Sequence, residues 1–225
     1  MATSDEERAT ASGYDDWAAS YDDRDPSTWL DEPFLLEHLK PLSGCRVLDM
    51  GCGTGRYLRR LPPSAYRITG VDLSGNMLSR ARQTIGNRKD TSLVQASVTC
   101  LPFQPRSFDR VMSGLVIDHV GSIEQFFRQL SDVVVVGGRA VVAAVHPEIQ
   151  RITGSSIEVQ SNEKRPVQIR GHIHEVPRLL AAARDAGLTV VAMDEPAVTS
   201  AMLEYRPDWK KKLGCPALLL LALVK

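Results

Sequence analysis

Between Cys45 and Ala96 the chain alternates two kinds of segment, and this alternation restricts the fold more than any other feature. "CRVLDM", "YRITGVD" and "TSLVQA" are short apolar runs, which suits strands buried on both faces. "TGRYLRRL" and "GNMLSRARQTI" lie between them and predict helices. The rhythm continues with "FDRVMSGLVI" as a strand and "SIEQFFRQLSDVV" as a helix with Phe126, Phe127 and Leu130 inward. "GRAVVAAV" follows as a strand after a turn at Gly137 and Gly138. "HEVPRLLAAARDAGL" predicts a helix stopped by Gly187, and "TVVAMDEP" and "ALLLLALV" predict two final strands. Such a chain folds as an α/β protein, a doubly wound and mostly parallel sheet with helices on both faces.

Two regions stand outside the rhythm. Residues 1 to about 12 are small and charged and predict a frayed start, with order beginning near Tyr14. Tyr14, Trp17 and Tyr21 then share one face of a short helix. "STWLDEPFLLEHLKPL" predicts a second helix, capped at Ser27 or Asp31 and closed by Pro41. Residues 147–172 are polar and turn-rich around two strand-like pieces, the character of an insertion that carries substrate contacts or a lid. The expected organisation is a helical cap over 1–40 and a main domain over 41–225.

Lys plus Arg and Asp plus Glu both total 27, so no global field draws the protein to nucleic acid or an anionic membrane surface. The four cysteines form no C-x-x-C pair, which predicts free thiols in a reducing compartment. "MATSDEERATASG" lacks the basic start and apolar stretch of a signal peptide, and "ALLLLALV" is too short to span a bilayer. The expected setting is cytoplasmic, with a small-molecule partner, as a monomer or homodimer.

Chemistry concentrates in "VLDMGCGTGRYLRRL". In a parallel sheet, ligands sit at the carboxyl ends of the strands, and this loop follows the first of them. Gly51, Gly53 and Gly55 allow a tight turn and let a ligand lie against backbone. A dinucleotide site expects G-x-G-x-x-G, but Arg56 takes the last glycine's place, which disfavours an NAD(P)-dependent oxidoreductase. Asp49, two residues before the first glycine, suits a cationic ligand better than a phosphate. Asp72 ends the second strand, near the spacing at which an acid binds ribose hydroxyls.

These elements, taken in order, resemble the class I S-adenosylmethionine-dependent methyltransferases, in the small-molecule branch that includes quinone-biosynthesis enzymes. "VLDMGCGTG" resembles that family's first motif and "GVDLSGNMLSRAR" its second, and the likeness runs from about Tyr14 to Val224. The resemblance implies a Rossmann-like sheet with an antiparallel last strand and S-adenosyl-L-methionine as cofactor. It implies that Asp49, Gly51, Cys52, Gly53 and Gly55 form the loop side of the site, that Asp72 holds the ribose, and that Leu73 and Met77 flank the adenine. It also places Val98 and Ser113 at the site and Tyr21 over the cofactor. Where the family commonly has an acid that accepts from the adenine amino group, this chain has Ser97.

Methyl transfer from a sulfonium needs alignment first and a base only for some acceptors. Histidine suits that role at neutral pH. The candidates are His119 after the fourth strand, His146 at the end of the fifth and His174 before the penultimate helix; each also has a capping or packing reading. His172 and His174 would share a face on a strand, but no third ligand is evident, so no metal is expected. A cofactor-binding protein without transferase activity is the alternative.

Overall fold

The computed structural model describes residues 4–23, 31–160, 165–204 and 207–225. Seven strands form one sheet: β1 (Arg46–Met50), β2 (Arg67–Asp72), β3 (Thr91–Gln95), β4 (Phe108–Gly114), β5 (Val134–Val145), β8 (Thr189–Asp194) and β9 (Leu218–Val224). Their order is β3-β2-β1-β4-β5-β9-β8. The pairs from β3 to β5 are parallel, and β9 runs antiparallel to both β5 and β8. The expected mostly parallel sheet with an antiparallel last strand is therefore the fold. The order reverses beside β1, so the loops after β1 and β4 diverge there and leave a crevice.

Helices α3 (Gly75–Ile85), α4 (Ile123–Val133) and α6 (Val176–Asp185) cover the sheet, with α2 (Glu32–His38) on the β5 and β9 side. Apolar side chains on both faces explain why the strands read as continuous runs: Val47, Leu48 and Met50 of β1 are all fully buried. Phe126, Phe127 and Leu130 of α4 are buried as their spacing predicts.

Four expectations need correction. From Ser4 the chain is not frayed, because α1 runs Asp5–Trp17; Ser4 and Glu7 form a reciprocal capping box and Asp5, Glu6 and Glu7 face the helix dipole, while residues 1–3 lie outside the described residues. "TGRYLRRL" makes only a 3-10 turn over Leu58–Arg60. The left-handed backbone at Gly51, Gly53 and Gly55 cannot propagate a right-handed helix, and Arg56 and Tyr57 are drawn to Asp31. Third, β4 stops at Gly114 rather than reaching Ile117, since Leu115 takes φ 58°. Fourth, Gly137 lies within β5, at a register shift between Phe108 and Arg110 of the neighbouring strand, and not in a turn before it.

Of the two caps expected for α2, Asp31 occupies the N-cap position without a side-chain capping bond, and Ser27 lies outside the described residues. The two strand-like pieces of the 147–172 stretch form an antiparallel hairpin, β6 (Ile157–Gln160) and β7 (Pro166–Ile169), preceded by α5 (Pro147–Thr153). The hairpin supports α1: a Cβ on the buried Gly13 would come within 2.7 Å of Ile169.

Asp31 also fastens the glycine loop to α2. Its side chain is fully buried and receives both Arg56 amino groups at 3.2 Å together with the Tyr57 hydroxyl. Burial raises its carboxyl above the ordinary range, and Arg56 and Tyr57 oppose that rise. Removing one partner strands the other's charge in the interior. Asp31→Ala is expected to cost about 3–5 kcal/mol of unfolding free energy. The denaturation midpoint in urea checks this, and a loss under about 1 kcal/mol would contradict the role assigned to the pair.

Candidate functional site

The crevice at the carboxyl ends of β1, β2 and β4 opens into a cavity of about 580 Å³, within the usual span for small-molecule sites. One wall is the glycine loop. Gly51 has φ 78°, and a Cβ there would lie 2.3 Å from Val116, so only glycine lets the two segments close on each other. A second wall is Asp72 with Leu73 and Met77, and a third is Ala96 to Cys100 after β3. The roof is α1, which contributes Glu6, Glu7 and Tyr14, with Tyr21 beyond it.

Asp72 is held in place before any ligand arrives. One of its carboxylate oxygens accepts from the Gly53 amide at 2.8 Å, the other from the Ser74 amide at 2.9 Å. Burial raises its pKa, while those amides favour the ionised form. Ser74 in turn caps α3 through the Met77 amide and bonds Asp15 of α1, which also takes the Asn76 amide at 2.9 Å. The acid, the loop and the roof are thus parts of one hydrogen-bonded assembly.

Nine of the predicted site residues meet at this cavity: Tyr21, Gly51, Gly53, Asp72, Leu73, Met77, Ser97, Val98 and His119. Six others do not line it. Gly55 packs toward Ala81, where a Cβ would lie at 3.3 Å. Cys52 is buried among the apolar side chains on the α2 side of the sheet. Ser113 is fully buried and donates to the Met50 carbonyl at 2.8 Å, tying β4 to β1. His146 accepts the Glu148 amide at the start of α5 and lies 3.0 Å from Glu195. His174 donates to the Val120 carbonyl at 2.9 Å. These two histidines have structural bonds at strand and helix ends, the alternative reading that a histidine at such a position always carries.

Asp49 is the sixth. It is fully buried behind the loop, and neither of its oxygens has a hydrogen-bond partner among the described residues. Burial pushes its pKa up to about 8 against the lowering effect of Arg56, with Asp72 and Asp31 adding to the rise. The carboxyl is therefore protonated in the folded protein where the unfolded chain, near 3.8, has lost its proton.

His119 has a defined role at the cavity edge. Its Nδ1 faces the Arg170 carbonyl at 2.9 Å, so Nδ1 carries the proton and Nε2 accepts from the Tyr14 hydroxyl at 2.8 Å. Burial lowers the His119 pKa, which keeps the ring neutral. Tyr14 stacks on Trp17 at 5.9 Å between ring centroids, and Trp17 meets Tyr21 edge-on at 4.7 Å. Trp17 packs behind the two tyrosines and does not reach the cavity wall.

His172 and His174 stack at 5.7 Å, but His172 faces Glu6, with Nε2 2.9 Å from Oε1. Among the described residues no three His, Cys, Asp or Glu side chains are grouped to hold a metal ion. Also among the described residues, no helix is long and apolar enough to cross a membrane.

The residues that sequence reasoning missed are mostly on α1. Glu7 lines the cavity and accepts from both Ser97 and Thr99. The S-x-x-E signal at Ser4 to Glu7 marks a helix start and could have located it. Gln125 of α4 also reaches the wall, donating to the Thr99 carbonyl at 2.9 Å.

The lining chemistry tests which ligand fits. Three carboxylates, Glu6, Glu7 and Asp72, face the cavity, and among the described residues no lysine or arginine does. A pyrophosphate would meet negative charge without a cation to offset it, whereas hydroxyls, amino groups and a sulfonium would find acceptors. Arg56, which breaks the dinucleotide pattern, is committed to Asp31 and lies over the Tyr57 ring at 4.2 Å. S-Adenosylmethionine therefore fits these residues and a dinucleotide does not.

Comparison with known proteins agrees. Residues 48–142 match the model of a methyltransferase domain. Malonyl-[acyl-carrier protein] O-methyltransferase of Erwinia pyrifoliae is 35% identical over 111 residues, covering 49% of this chain and 41% of that protein. The enzyme of the same description from Legionella pneumophila is 36% identical over 116 residues, or 50% and 40% of the two chains. The chain thus spans about two-fifths of the length of these curated relatives. A crystal structure of an S-adenosylmethionine-dependent methyltransferase from Mesorhizobium loti superposes with a TM-score of 0.70 at 26% identity, over 86% of this chain and 96% of that one.

The protonation of Asp49 gives a test of the site's electrostatics. The folded state binds a proton that the unfolded state lacks between roughly pH 4 and pH 8, so this residue makes stability fall as pH rises through that window. Asp49→Asn removes the effect. Its unfolding free energy, measured by urea titration across the window, is expected to gain on wild type as pH rises; a constant difference would contradict a protonated Asp49.

By motif, sheet order, cavity chemistry and relatives alike, the chain is similar to the class I S-adenosylmethionine-dependent methyltransferases and carries a methyltransferase domain over residues 48–142.

Proposed function

We propose that this protein transfers the methyl group of S-adenosylmethionine to a small-molecule acceptor. The observation that carries the reading is Asp72, fixed by the Gly53 and Ser74 amides at the end of β2 and facing a cavity where, among the described residues, carboxylates line the wall and no lysine or arginine does. When bound, the cofactor supplies an electrophilic methyl on sulfur, for in-line displacement by the acceptor. The chain's own part is positioning. Asp72 accepts from the ribose hydroxyls, Gly51 and Gly53 leave backbone open to the methionine end, and Leu73 and Met77 pack against the base. Tyr14 and Tyr21 close the roof and keep water out.

For a hydroxyl acceptor, Tyr14 and His119 offer a route for the proton. The acceptor donates to the Tyr14 oxygen as Tyr14 passes its own proton to Nε2 of the neutral His119. Specificity for the acceptor is assigned to α1, which roofs the cavity, and to the β6–β7 hairpin, which packs against α1. Malonyl-[acyl-carrier protein] as the acceptor of two relatives supports an acyl carboxylate as one class to try. The free thiols Cys45, Cys52 and Cys215 support a cytoplasmic setting.

Calorimetric titration with S-adenosylmethionine, S-adenosylhomocysteine, NADH and NADPH tests the reading. Binding of the two sulfur nucleosides alone is expected. Asp72→Ala should weaken both by roughly tenfold to a hundredfold, the cost of losing charge-assisted hydrogen bonds to the ribose, with the fold retained by circular dichroism. Unchanged affinity in that variant, or binding of the dinucleotides, would overturn it.

A further inference from the structure

We infer that Glu7, carried by the roof helix α1, supplies the carboxylate that recognises the amino group of the adenine base, a role that Ser97 cannot fill. The inference rests on the cofactor reading above. In the sheet order, β2 lies between β1 and β3, so a nucleoside held at its ribose by Asp72 has the glycine loop on one side and the end of β3 on the other. The amide of Ala96 bonds the Asp72 carbonyl at 3.1 Å, which sets Ser97 and Val98 directly beyond the ribose acid. The base end of the cavity is therefore the wall from Ala96 to Cys100.

At that wall the hydrogen bonds run in one direction. The Ser97 hydroxyl donates to Glu7 Oε1, the Thr99 hydroxyl donates to the same oxygen at 2.7 Å, and Ser97 Oγ accepts the Thr99 amide at 3.1 Å. Ser97 has thus spent its proton on Glu7 and one lone pair on the backbone. Among the described residues Glu7 Oε2 accepts only the Ser4 amide, at 2.9 Å, which leaves that oxygen able to take a further donor. Burial acts to raise the Glu7 pKa, yet the bonds from Ser97, Ser4 and Thr99 hold it below the ordinary value, so the group is ionised. A carboxylate that lines the cavity at its base end and has acceptor capacity left suits an exocyclic amino group and repels a carbonyl oxygen.

The test compares S-adenosylhomocysteine with S-inosylhomocysteine, in which a carbonyl oxygen replaces the amino group. The wild-type protein is expected to prefer the adenosine compound by roughly tenfold or more. Glu7→Gln keeps the capping box, because glutamine serves at that helix position, and should bind the two ligands with nearly equal affinity. Adding Ser97→Asp to Glu7→Gln should restore the preference by returning a carboxylate to the same wall. A preference that survives Glu7→Gln would overturn the assignment, as would one that is lost and not restored by Ser97→Asp, since the loss would then come from α1 itself. Failure of the wild-type protein to bind S-adenosylhomocysteine would instead sink the cofactor reading, a result distinct from either.

Discussion

The carboxylate of Asp72 is the point on which the site depends. Its two oxygens take amides from two different segments, Gly53 in the loop after β1 and Ser74 at the start of α3. The bond to Gly53 holds the loop in its left-handed course, and the bond to Ser74 orients the residue that caps α3 and grips Asp15 of α1. Loop, helix and roof are therefore positioned relative to an acid that itself faces the cavity. Preorganisation of this kind removes ordering cost from ligand binding.

Charge decides what the cavity accepts. Open parallel sheets bind many nucleotides at the same switch point, and the fold alone does not choose among them. Here the choice follows from acids on the wall and from Arg56 being withdrawn to Asp31 and Tyr57. Asp49 behind the loop adds no negative charge near neutrality, since burial keeps it protonated up to about pH 8. A fourth full charge so close to Asp72 would strain the ionisation of both.

Much of this was legible in the sequence. Continuous apolar runs placed the strands, and the acid at the end of β2 and the glycine spacing pointed to two walls of the cavity, because those features answer local demands for burial and left-handed backbone. What failed were readings that depended on distant partners. The acidic start looked frayed because its stabilising contacts, Glu7 to Ser97 and Asp15 to Ser74, span more than fifty residues. The helix expected after Gly55 shrank to a turn because Asp31 claims Arg56 and Tyr57. His146 and His174 sit at element ends that suggest a site, yet the side chains bond Glu195 and the Val120 carbonyl, a matter of rotamer that no sequence pattern encodes.

The most direct measurement is a crystal structure of the protein with S-adenosylhomocysteine. The account predicts ribose hydroxyls bonded to Asp72, the base against the wall from Ala96 to Cys100, and α1 closed above with Tyr14 still on His119. A ligand seated elsewhere, or a ribose out of reach of Asp72, would contradict it.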